Sequence, residues 1–138
     1  GSYVGRIYGT ADDLVVECGP IYSRKRVLFS GNAQMGDTFT VTNSPSYDLF
    51  AVKLGTADST EDTVVLAYKA EAQSFNGAIN GIGGWAGTAS LAKELFFLSV
   101  TYSWDQWTLV DARKQGIYNA GSITTGTALN VKEVVGVI

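Results

Sequence analysis

Thirteen carboxylates, ten basic side chains, one cysteine and no histidine make up the ionisable chemistry of this 138-residue chain. Without an imidazole the commonest general base is missing, and neither a Ser-His-Asp nor a Cys-His arrangement can be assembled. Cys18 is the only cysteine, so no internal disulfide can form, and the thiolate and imidazole sets that hold zinc are excluded with it. Paired carboxylates would still suffice for a glycosidase. The acids of this chain, however, stand mostly beside residues that read as turns, where solvation and capping account for them. Asp58, Glu61 and Asp62 offer oxygen ligands but lack the spacing of an EF-hand. The chain is therefore read as a non-enzyme, with no catalytic residue, no cofactor and no metal site expected.

Aromatic rings are the stronger functional candidates, because flat sugar faces stack on exposed rings and receptor contacts favour Trp and Tyr. Trp85 comes first. It lies in the stretch 76–87, which holds five glycines and is too Gly-rich for a helix. The glycines of this stretch read as serving a bulge or a close approach of strands, with 78–82 as a strand and Trp85 in a glycine-flanked loop beyond it. The stretch contains neither the Gly-Lys-Ser/Thr of a P-loop nor a helix to complete a dinucleotide fingerprint. For Trp85, plugging the end of the core or a subunit interface is an equal alternative to ligand contact. Tyr118 and Asn119, in a loop between Gly116 and Gly121, and Tyr22, in the loop 19–23, are the remaining ligand-binding candidates. Trp104 and Trp107 read instead as packing partners across a hairpin.

The elements that must carry these residues are strands. The chain is 46% hydrophobic and only 17% charged, with 16 glycines scattered between short apolar runs, a balance that suits a turn-rich β protein. Candidate strands recur about every ten residues, at 3–8, 13–17, 26–30, 38–42, 49–54, 63–69, 78–82, 95–104, 107–112 and 128–137. Phe96, Leu98, Val100, Tyr102 and Trp104 share one parity while Ser99, Thr101 and Ser103 share the other, which predicts one core-facing side. Two hairpins are expected, 95–104 with 107–112 and 26–30 with 38–42. A single helical turn is conceivable at 90–94, with Ser90 as its cap. The apolar close 134–138 is expected to pair in a sheet or lie under a neighbouring subunit.

Gly1-Ser2 reads as an expression scar, and 3–138 as a single β-sandwich domain forming the C-terminal part of a longer protein. A net charge of −3 and no basic run beyond Arg24-Lys25-Arg26 argue against nucleic acid as a partner. No apolar stretch approaches the length of a membrane-spanning helix, so no membrane insertion is expected.

A family resemblance rests on four stretches. Val27-Leu28-Phe29-Ser30-Gly31-Asn32-Ala33, followed by Gly36-Asp37-Thr38-Phe39-Thr40-Val41 and Tyr47-Asp48-Leu49-Phe50, resembles a pattern that recurs in C-terminal modules of bacteriophage tail-fibre and minor structural proteins. Ala78-Ile79-Asn80-Gly81-Ile82-Gly83-Gly84 is similar to a glycine-rich stretch of that module, with Asn80 where a basic residue is frequent and Trp85 in its aromatic place. The run from Phe97 through Trp107-Thr108-Leu109-Val110-Asp111 resembles its hairpin, and Val134-Val135-Gly136-Val137-Ile138 its close. The resemblance implies an antiparallel, jelly-roll-like β-sandwich that assembles as a homotrimer on the virion, at the tip of a tail fibre or head appendage. There it would sit among other virion proteins and, when acting outside the cell, meet a host cell-surface polysaccharide or protein. The function implied is receptor binding without catalysis. A purely structural role in capping and trimerising the fibre is the nearest alternative, and glycan depolymerisation a more distant one.

Overall fold

Period-two alternation governs the computed structural model, which describes residues 7–8, 15–16, 26–58, 60, 62–86, 91–118 and 126–138, with the backbone alone at 7–8, 15–16, 85–86, 91–92 and 118. β1 (Ile7–Tyr8) and β2 (Val15–Val16) pair with each other. The main sheet contains β3 (Val27–Ala33), β4 (Thr38–Thr40), β5 (Leu49–Gly55), β6 (Thr63–Lys69), β7 (Asn76–Ala86), β8 (Leu91–Ser103), β9 (Gln106–Tyr118), β10 (Thr127–Ala128) and β11 (Asn130–Val137). Every pairing is antiparallel. Among the described residues there is no α-helix, only a single 3-10 turn at Ser44–Ser46.

The ladder runs β10-β9-β8-β7-β6-β5-β11-β3, with β4 attached to β9. Four ladder steps separate β5 from β9, yet Phe50 of β5 and Trp107 of β9 meet edge to face with ring centroids 4.9 Å apart. Only a sheet curled back over itself allows that contact, and the right-handed twist of its strands supplies the curl. The result is a half-barrel. Its concave side holds the core: Phe50, Val52 and Leu54 of β5, Val65 and Ala67 of β6, Leu98 and Val100 of β8, and Trp107, Leu109 and Ala112 of β9 are all buried. β11 lies between β5 and β3, so the apolar chain end is paired on both sides through most of its length.

Several expectations need correction. The strand expected at 78–82 is longer: Asn76–Ala86 is an eleven-residue strand paired along its whole length with β8, so Trp85 stands on a strand rather than in a glycine-flanked loop. Its glycines serve close approach. A Cβ at Gly81 would stand 2.9 Å from the Leu66 carbonyl oxygen and 3.1 Å from the Ala67 Cβ, and one at Gly83 would stand 2.9 Å from Val65 Cγ1. Bare backbone at these positions lets β7 close down on β6 where the sheet bends. Residues 91–94 belong to β8 rather than to a helical turn: Lys93 and Glu94 pair with both β7 and β9, and Leu91 with β9. Strands 26–30 and 38–42 do not form a hairpin ladder. β3 pairs with β11 and β4 with β9, where the Thr38 and Thr108 hydroxyls bond at 2.8 Å. Thr42 N–H still donates to the Leu28 carbonyl at 3.0 Å, and the Phe29 and Phe39 rings touch at 4.6 Å.

The hairpin β8-β9 forms one residue earlier than its pattern suggests. Ser103 and Gln106 close the ladder, leaving Trp104 and Asp105 as the turn. Since side chains alternate faces, this slip places Trp107 opposite Tyr102 in the core and sends Trp104 outside. Trp104 and Trp107 are therefore not packing partners.

Substituting Gly81→Ala adds one methyl against backbone that cannot retreat. Thermal denaturation followed by circular dichroism is expected to show a loss of about 1–3 kcal/mol; an unchanged midpoint would show that the bend does not depend on that contact.

Candidate functional site

Three connections meet at one end of the half-barrel: 41–48 before β5, 70–75 between β6 and β7, and the turn 104–105. Backbone bonds splice them together. Val41 N–H donates to the Asp105 carbonyl at 2.7 Å, Lys69 N–H to the Asp48 carbonyl at 3.0 Å, and Trp104 N–H to the Phe75 carbonyl at 2.6 Å. Among the described residues, the three non-glycine residues in the left-handed region, Asn43 (φ 64°), Gln73 (φ 62°) and Trp104 (φ 55°), fall one in each connection. Asparagine tolerates that region, whereas a bulky residue there is strained.

Buried polar groups form the floor of this end. Trp107 Nε1 donates to Ser44 Oγ at 3.2 Å, and Tyr102 Oη donates to the Ser74 carbonyl at 3.2 Å. The Lys69 ammonium lies 3.3 Å from the Ser44 carbonyl oxygen and 5.2 Å above the centre of the Tyr102 ring. Burial pushes the Lys69 pKa below its usual range, against the opposing pull of the Asp48 carboxylate. Asp48 in turn accepts from Gln73 N–H at 2.8 Å. Each connection is thus held by at least one hydrogen bond from a core strand or a neighbouring loop.

Above this floor two rings stack in the open. Phe75 and Trp104 lie with centroids 4.4 Å apart and planes 19° from parallel, while 53% and 58% of their surfaces stay exposed. Gln106 beside them donates to Thr40 Oγ1 at 2.7 Å and to Asp105 Oδ1 at 3.3 Å. A flat apolar surface edged by an amide, a carboxylate and hydroxyls has the chemistry to stack one face of a pyranose ring and bond its hydroxyls.

Several of the described carboxylates hold structural partners. Asp37 accepts from Gln34 N–H, Asp62 pairs with Lys132 at 3.0 Å, Asp111 with Arg113 at 2.9 Å, and Glu133 lies 3.9 Å from Lys53. Asp62, named as a possible ion ligand, is thereby committed to a lysine.

The candidates from the sequence lie elsewhere. Trp85 occupies a strand position in β7 opposite Glu94, and Tyr118 is the last residue of β9, opposite Leu91. Neither is in the loop expected for it. Both backbone positions fall at the end of the sheet away from Phe75 and Trp104, on the two strands flanking β8. Asn119 and Tyr22 lie outside the described residues. The stacked pair was missed because it depends on the hairpin register. A turn at Trp104-Asp105 is the one signal that would have exposed the ring, and it is masked by the unbroken alternation up to Trp104.

Comparison of the chain with protein-family models, with curated proteins and with solved structures found no match.

The folded chain holds the Lys69 proton less tightly than the unfolded chain, whose value is 10.5. Between the lowered pKa and 10.5 the unfolded state therefore binds more protons, and the contribution of Lys69 to stability rises with pH. Urea unfolding should show the native chain gaining stability relative to Lys69→Met as pH rises from neutral to 10.5; a flat difference would contradict the assigned shift. For Trp104→Gly, relief of about 1–2 kcal/mol of left-handed strain opposes the loss of about 0.5–1.5 kcal/mol of ring stacking. Its expected unfolding free energy stays within about 1 kcal/mol of native, against about 2–5 kcal/mol lost for Leu109→Ala. A large loss for Trp104→Gly would assign that ring to folding.

Proposed function

We propose that the chain is a non-catalytic domain of a bacteriophage virion appendage, at the tip of a tail fibre or head appendage, that attaches to a host cell-surface glycan. The observation that carries this reading is the exposed stack of Phe75 and Trp104 on spliced loops, with a tryptophan held at φ 55° and 58% exposed. Strain of that kind persists where the surroundings over-determine it and concentrates at functional sites. The motif resemblance along 27–138 supports the virion context. The structural pairing of Asp62, Asp111 and Glu133 with cations favours binding over glycan hydrolysis.

In this reading the curled sheet is one form of a jelly-roll-like sandwich, and the domain works as a homotrimer. Three equivalent ring platforms on one tip would turn weak single-site contacts into firm attachment, because linkage raises effective concentration. A site edged by the Asp105 carboxylate, with the Lys69 ammonium buried in its floor rather than presented at the surface, suits a neutral or weakly charged sugar rather than a phosphate-rich polymer.

The test uses the fluorescently labelled chain and purified bacterial capsular and cell-wall polysaccharides as probes. Binding is expected to weaken about tenfold in Trp104→Ala and in Phe75→Ala, equivalent to about 1.4 kcal/mol each. Retention of full affinity by both variants would remove the ring pair from the site, and absence of binding to every polysaccharide probe would defeat the glycan reading.

A further inference from the structure

The outer, convex side of the sheet is unusual in a different way. Register places Val135, Ala51, Leu66, Ile82 and Phe97 opposite one another in turn, on β11, β5, β6, β7 and β8. This is one continuous apolar row across five strands. Leu66 is 58% and Ile82 61% exposed, and Val64 and Tyr68 beside them on β6 are 58% and 54% exposed. Residues 78–84 and 95–101 contain no charged side chain, and the one charge on β6, Lys69, is buried on the other face.

Charges return only at the borders. The row ends at Arg113 on β9, which is bonded to Asp111, and on the other flank Lys53 lies against Glu133. An uncharged centre with a charged rim is the anatomy of a protein interface.

We infer that this outer face of β5 to β8 is the surface through which copies of this chain associate. The inference deepens the self-association proposed above by giving it a surface. β6, β7 and β8 are interior strands with neighbours on both sides, so their backbone groups are engaged and a partner cannot join as an added strand. Docking must proceed through side chains, face to face.

Charge selects the occupant. Each rim carries both signs, Arg113 with Asp111 and Lys53 with Glu133, so two copies meet without the like-charge penalty that a net −3 chain would otherwise bring. A polyanion or a polycation finds no field on this face to draw it in. Four strands at about 4.8 Å and seven residues at about 3.3 Å project on the order of 450 Å². That approaches the roughly 800 Å² per partner of a standard specific interface, once the relief of the side chains is added.

Light scattering of the whole chain decides the matter. The native protein is expected at three times its 14.7 kDa monomer mass, with Leu66→Lys and Ile82→Lys reduced to monomer while keeping the native circular dichroism spectrum. Leu66→Thr, a milder change that preserves strand propensity, should raise the dissociation constant about tenfold. Oligomers that persist in both lysine variants would overturn the assignment and place association on another surface. A native chain that stays monomeric over a hundredfold concentration range would overturn self-association with it. Polysaccharide binding is scored separately, so failure of the glycan reading is distinguishable from either outcome.

Discussion

The contact between Trp107 and Phe50 couples strands that are far apart in the ladder. It is a perpendicular ring contact at 4.9 Å between two residues with no exposed surface. Because β5 and β9 are four steps apart, the ring of Trp107 can be dry only if the whole sheet bends around it. Burying two such rings removes several hundred square ångströms of apolar surface from water, the largest favourable contribution available to a chain of this composition. The glycine positions of β7 follow from the same demand, since Gly81 and Gly83 sit on the inside where a curved sheet has least room.

Trp107 also couples the core to the loops. Its indole N–H is a donor that burial obliges to find a partner, and it finds the hydroxyl of Ser44 in the 3-10 turn. Lys69 on β6 and Tyr102 on β8 repeat the device, each directing a polar tip from the core onto a loop carbonyl. Loops fastened in this way give up conformational freedom as the sheet folds, which leaves the Phe75 and Trp104 rings pre-positioned. A ligand stacking on them therefore meets a surface that needs little further ordering.

End and side of the half-barrel differ in chemistry. The loop end presents aromatic faces next to amide, hydroxyl and carboxylate groups, while the centre of the convex side presents apolar residues, with charges only at its rim. Association through the side, as inferred above, would leave the ends open. That separation allows ligand contact and assembly to be altered independently, since Trp104 and Ile82 share no element.

All-β architecture was legible from the sequence, because burial on one face of a strand demands period-two alternation that survives in 49–54, 63–69 and 95–104. The strand at 63–69 was read to its exact ends, and the strand at 78–82 was found but cut short, because the glycines that extend it to Asn76–Ala86 have low strand propensity. Partner choice was not legible. Whether 38–42 pairs with 26–30 or with β9 depends on which edge the curled sheet brings near, a long-range matter on which local pattern is silent. The ring platform shows the limit most clearly. Trp104 continues the alternation of β8 by type, and only the closing pair Ser103 and Gln106 turns it outward onto Phe75, a residue 29 positions away. Residue types set what could be buried, and the fold set which ring stayed in the open, because register is fixed by packing across the whole sheet.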